Sequence, residues 1–153
     1  MTLMELHFEV VDEDFTEGMA EKVRKNPGEF VKRTQDMLDT IQRDWQFFIP
    51  RGQGCSGKGG TTKSAIRTRP TGRGGEVYAD EGTAPWFKWF EDGRGTVRPR
   101  KAKALRFCIQ GTMIFTKKSG PSQPAKSMEK GKQMAEPTIR RKAEELGKYL
   151  SEK

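Results

Sequence analysis

Over residues 27–48, Phe30, Thr34, Met37, Leu38, Ile41, Trp45 and Phe48 recur at spacings of three and four. That period lays them along one stripe of a helix. The boundaries are marked as well. Asn26 stands as N-cap, Pro27 takes the first helical position, where a missing N–H costs nothing, and Glu29 is placed to close a capping box. Pro50 ends the run after roughly five turns. A helix with one apolar stripe has to bury it, and the sequence predicts that this one lies across a sheet.

The candidate strands are short. Met4, Leu6, Phe8 and Val10 alternate with Glu5, His7 and Glu9, which predicts a strand over 3–11 with His7 on its wet side, as a solvated histidine rather than a ligand. Residues 12–25 carry Phe15, Met19 and Val23 at a spacing of four and suggest a short helix. Residues 51–60 hold five glycines in ten positions and read as a loop. Two β-like runs, 64–69 and 76–79, predict a hairpin with a long flexible tip over 70–75; 103–109 and 112–117 predict a tighter one through Gln110 and Gly111. Past Gly120 the chain turns polar, with a short helix expected over 127–134 and a second over 137–150 that shows Ile139, Ala143, Leu146 and Leu150 on one face.

With 153 residues of which 33% are apolar, the chain has material for about one core. The expected fold is α+β: a mostly antiparallel sheet of about five short strands, one long helix packed across it, and a C-terminal helix. Residues 1–120 form the expected domain, with a glycine-rich basic loop at 51–63 inside it, and 121–153 form a C-terminal helical extension. No apolar run approaches the roughly 18–20 residues of a membrane span, and Glu5 and Glu9 stand where a signal peptide would be basic and then apolar, so a soluble, unexported chain is expected.

The net charge of +8 is sectored. Residues 1–48 hold 11 acidic and 6 basic side chains, whereas 51–75 holds six cations (Arg51, Lys58, Lys63, Arg67, Arg69, Arg73) and no acid. Residues 94–118 repeat the pattern with Arg94, Arg98, Arg100, Lys101, Lys103, Arg106, Lys117 and Lys118. Two cationic stretches without a carboxylate point to phosphate or to an acidic neighbour, with a solvated face as the plain alternative.

Catalytic readings find little support. Residues 52–58 fit G-x-x-x-x-G-K, but Gly59 stands where a phosphate loop needs Ser or Thr, a helix precedes it and a β-like run follows. Asp80 with Glu81, and Glu91 with Asp92, are adjacent carboxylates that read as exposed turn residues rather than acid–base pairs. Cys108 lies between Phe107 and Ile109 as a packed thiol without a second histidine to activate it. No enzyme, cofactor or metal is expected. Trp86, Phe87, Trp89 and Phe90 crowd into five positions, more aromatic area than a small core draws from one turn. A subunit or partner interface explains them better than base stacking or a core flap.

Tyr78, Ala79, Asp80, Glu81, Gly82 and Thr83 resemble the tyrosine, glutamate and glycine–threonine signature of a bacteriophage minor tail component family, the tail-completion or neck proteins of long-tailed phages. Three further pieces follow the family's order. The run 61–69 is similar to its lead-in strand, residues 98–107 match through Leu105, Arg106 and Phe107, and Gln123 with Pro124 come last. The likeness covers about residues 27–130; Ala125 departs from an aromatic in the family pattern, and the glycine-rich loop and the tail beyond Glu136 are additions. The resemblance implies a structural virion protein of the neck, assembled in the host cytoplasm as a homo-oligomeric ring of six or twelve subunits around the DNA channel. Its partners would be the head connector, the tail terminator or tail-tube proteins, and the DNA passing through, with no membrane. Within that picture Trp86, Phe87, Trp89 and Phe90 are expected at a subunit contact, and Lys58, Lys63, Arg67, Arg69 and Arg73 toward the channel or an acidic partner rim. The alternative from the residues alone is a small basic DNA-binding protein without sequence preference.

Overall fold

A computed structural model describes residues 5–9, 17–50, 61–71, 74–109 and 112–152. In chain order the elements are β1 (Glu5–Glu9), α1 (Glu17–Lys25), α2 (Pro27–Phe47), α3 (Thr61–Ser64), β2 (Ile66–Thr71), β3 (Gly74–Ala79), α4 (Phe87–Asp92), β4 (Leu105–Ile109), β5 (Thr112–Thr116) and α5 (Ser127–Ser151). The class is α+β. Among the described residues five strands are present, but they divide into a three-stranded antiparallel sheet of order β1-β3-β2 and a separate hairpin of β4 and β5. The single sheet expected from the sequence is corrected on that point.

Helix α2 is central, and both of its flanks are covered. On one flank it lies over β2 and β3, with Leu38, Ile41, Ile66, Val77 and Ala79 in a shared cluster. The approach is close because Gly75 sits under Leu38: a Cβ there would stand 2.5 Å from Leu38 Cδ1. Gly75 therefore serves packing within β3, where a flexible hairpin tip was expected. Pro70 and Gly75, and Thr71 and Gly74, are partners in the ladder, so the paired strands run through the residues expected at the tip as far as Thr71 and Gly74. Polar side chains of α2 finish the fit on β2, as the Gln42 amide donates to the Ile66 carbonyl at 2.6 Å.

On its other flank α2 runs along α5, a helix of 25 residues that passes through Pro137 without ending there. Two short helices expected over 127–134 and 137–150 are thus one. Gly131 allows the contact, since a Cβ on it would meet Trp45 Cα at 2.5 Å. Ala135 joins the first cluster, and Leu146 and Leu150 join Phe30 and Met37 in a second. Helix α5 shares the core of the rest of the chain, and its buried stripe passes through Gly131, Ala135, Leu146 and Leu150, with Ala143 exposed.

The start of α2 also differs from expectation. Asn26 makes no side-chain cap. Its backbone N–H donates to the Lys22 carbonyl at 3.0 Å because α1 runs almost directly into α2. Glu29 accepts from Arg33 at 2.8 Å instead of closing a capping box. The loop expected at 51–60 and Phe15 lie outside the described residues, as do both ends of the strand expected over 3–11.

The β4–β5 hairpin is an arm. Its register runs from Leu105↔Thr116 to Ile109↔Thr112, and it packs substantially on no other element among the described residues. Phe115 is 66% exposed and no residue of β5 is buried. Two isolated bridges, Val97↔Ser119 and Arg94↔Ser122, tie its base back toward the body.

Candidate functional site

The signature segment folds as a turn locked by one carboxylate. Asp80 Oδ1 accepts the Gly82 N–H at 3.0 Å, and Oδ2 accepts the Thr83 hydroxyl at 2.7 Å. The Asp80 carbonyl accepts the N–H groups of Thr83 and Ala84, and the Arg67 guanidinium lies 3.1 Å from Oδ2. The Thr83 hydroxyl holds the Asp80 carboxyl below the ordinary aspartate range; desolvation opposes it, and the Gly82 N–H and Arg67 assist. Asp80 is not one of the signature positions, although Asp two residues before Gly is a turn signal. Tyr78 faces the Arg69 guanidinium across the β2–β3 ladder, 5.3 Å from its ring centre, and Glu81 is half-buried.

Ala84 packs into the core directly after this turn and fixes the entry to α4. The four aromatic residues then separate. Phe87 is 1% exposed and meets the Trp45 ring edge-on at 5.9 Å, and Phe90 packs beside it at 5.8 Å. Phe87 is core, which removes it from the surface contact expected of all four. Trp86 and Trp89 point outward, 44% and 59% exposed, and the Trp86 indole N–H donates to Thr62 Oγ1 at 3.1 Å.

The cations predicted from 51–75 divide in a similar way. Arg67 is paired with Asp80 and Arg69 with Glu76. The stretch lacks acids in sequence, yet the antiparallel ladder brings carboxylates from β3 and the following turn alongside it. Lys63 is half-buried on α3, and its carbonyl accepts the Gln46 amide at 2.9 Å. Lys58 and Arg73 lie outside the described residues. Leu105, Arg106 and Phe107 lie on β4, with Arg106 opposite Phe115. Ser122 and Pro124 pass over Gly93, whose φ of +76° is strained for any side chain and where a Cβ would stand 2.6 Å from the Ser122 carbonyl oxygen.

Glu91, expected as an exposed turn carboxylate, is 6% exposed. It accepts the Ser127 hydroxyl at 2.6 Å and the Met128 N–H at 2.7 Å, which caps the N-terminus of α5. Ser127 in turn accepts the Trp45 indole N–H at 2.9 Å. This chain of contacts ties α4 to α5 and α2, so Trp89 and the adjoining Trp86 stand on a helix anchored in the core.

Among the described residues no group of three His, Cys, Asp or Glu side chains is placed to hold a metal ion. No helix among them is long and apolar enough to cross a membrane. Two open hollows flank α2, one lined by Glu29, Arg33, Asp36 and Asp39 and the other by Asp44, Phe47, Lys63 and Met134. The elements thus define an α+β body, and among the described residues its exposed features include an aromatic pair at α4, a cationic arm at β4–β5, and Phe47 with Met134 beside one of the hollows. No family model, curated protein or solved structure matches the chain.

Proposed function

We propose that this chain is a structural virion protein of the phage head–tail junction, a neck or tail-completion subunit that forms a ring around the DNA channel and joins the head connector to the tail. The observation that carries the reading is Trp86, at the N-cap of α4, and Trp89, on α4, both exposed while Phe87 between them anchors the helix in the core. Two large exposed rings beside a helix anchored in the core, next to a turn held by Asp80, have the form of interface anchors, because aromatic residues that lose water on association dominate binding hot spots. The apolar Met113 and Phe115 on the arm add a second uncovered surface, as a contact between unlike faces of neighbouring subunits in a ring requires. The exposed cations of residues 98–118 favour the second reading, a DNA-binding protein without sequence preference.

The test is a Trp86→Ala/Trp89→Ala double variant followed by light scattering and thermal melting. Truncating two interface tryptophans costs roughly 2–4 kcal/mol each in association. The variant is expected to lose assembly and to melt with the same cooperativity as the wild-type monomer. A variant that assembles as the wild type does would remove these residues from the interface.

A further inference from the structure

We propose that the base of the β4–β5 arm is a phosphate-contacting surface that receives the backbone of double-stranded DNA. The inference deepens the ring reading by naming the surface that meets the DNA, and it rests on that reading only for the presence of DNA.

Pairing of Leu105 with Thr116 and of Val97 with Ser119 brackets the site. On one side only Lys117 and Lys118 lie between the pairings; on the other the chain makes an excursion over residues 98–104. That excursion carries Arg98, Arg100, Lys101 and Lys103, so six cations converge on one end of the hairpin, and all six are exposed. None has an ion pair among the described residues, in contrast to Arg67 and Arg69. The nearest acids in sequence, Asp92 and Glu129, leave residues 93–128 without a carboxylate.

Six clustered like charges repel one another, and water and salt screen them only in part. A polyanion removes the repulsion and releases its own counterions, which is the source of sequence-independent DNA affinity. A protein surface is the poorer fit. Protein interfaces have an apolar centre and are depleted in lysine, whereas this patch is built from four lysines and two arginines. Arg106 lies further along the arm with Met113 and Phe115, where a ribbon would follow a groove.

The experiment measures binding of the full chain to a duplex of about 30 base pairs by fluorescence anisotropy, across about 50–200 mM salt. One variant carries Lys101→Gln, Lys103→Gln, Lys117→Gln and Lys118→Gln. A control of equal charge carries Lys32→Gln, Lys130→Gln, Lys132→Gln and Lys148→Gln, all exposed and away from the arm. The slope of log affinity against log salt is expected to fall by about 3–4 in the arm variant and by less than about 1 in the control, at about 0.9 for each phosphate that the protein no longer neutralises. Equal slopes in the two variants, or a wild-type chain that does not bind DNA at the lowest salt, would overturn the inference. So would an arm variant that keeps DNA affinity but fails to assemble, which would assign the patch to an acidic protein. Light scattering on the same samples separates the two ideas. Rings whose DNA affinity ignores the arm refute this inference alone, and a monomer whose DNA affinity depends on it refutes the ring alone.

Discussion

Ser127 stands where three elements meet, accepting from Trp45 at 2.9 Å and donating to Glu91 at 2.6 Å, with no exposure to water. Ser127→Ala leaves the indole N–H without its acceptor and takes one donor from a buried carboxylate. A stranded buried polar group costs about 1–3 kcal/mol, and urea unfolding should show a loss of that size. A loss near zero would mean that the chain of contacts does not bind α4 to α5. Asp80 offers a test through pH. Its carboxyl is lowered chiefly by the Thr83 hydroxyl, so its stabilising contribution is present above the ordinary aspartate pKa, near pH 4, and is lost as pH falls through the lower folded value. Wild type and Asp80→Asn should therefore differ in melting temperature at pH 5 and converge toward pH 2. A gap that stays constant would show that the charge does not hold the turn.

At the scale of elements, two glycines of α5 make opposite predictions. Gly131 faces Trp45 backbone, so Gly131→Ala forces two helices apart and should destabilise by roughly 1–3 kcal/mol, despite the better helix propensity of alanine. Gly147 has nothing within 4 Å of the Cβ position, and Gly147→Ala should stabilise by about 0.4–1 kcal/mol. Thermal melts of both variants check the pair; equal signs would contradict the packing of α5 on α2. The same helix shows what a sequence makes visible. The α2 stripe through Phe30, Met37, Leu38, Ile41 and Trp45 was legible because burial of one face repeats every three to four residues. Helix α5 was read as two because Pro137 is a strong local breaker, while the contacts that carry α5 past it, at Gly131 and Ala135, come from distant residues. Glycines at 74–75 looked like a turn for a related reason: a glycine required for close approach and one required for a turn are the same letter.

Over the whole molecule, the charge sectors and the aromatic cluster were both visible in the sequence, but not their division. Spacing cannot show that Phe87 turns in toward Trp45 while Trp86 and Trp89 turn out, because α4 has only six residues and no full stripe. Nor can a local charge count show that β3 and the turn after it supply Glu76 and Asp80 to Arg69 and Arg67, whereas the six cations at the base of the arm have no ion pair among the described residues. Among the described residues, what results is a body with two packed clusters around α2 and exposed features that include those at α4 and at β4–β5. A two-stranded hairpin without a covering layer is only marginally stable in water, and its exposed Phe115 and Met113 make a neighbour the natural source of that layer. The proposed ring supplies one to every subunit by the same rotation. Light scattering of the purified chain over a wide concentration range tests this most directly. One discrete closed species at six or twelve times the 17.4 kDa chain mass is expected; a chain that remains at 17.4 kDa throughout would rule the ring out.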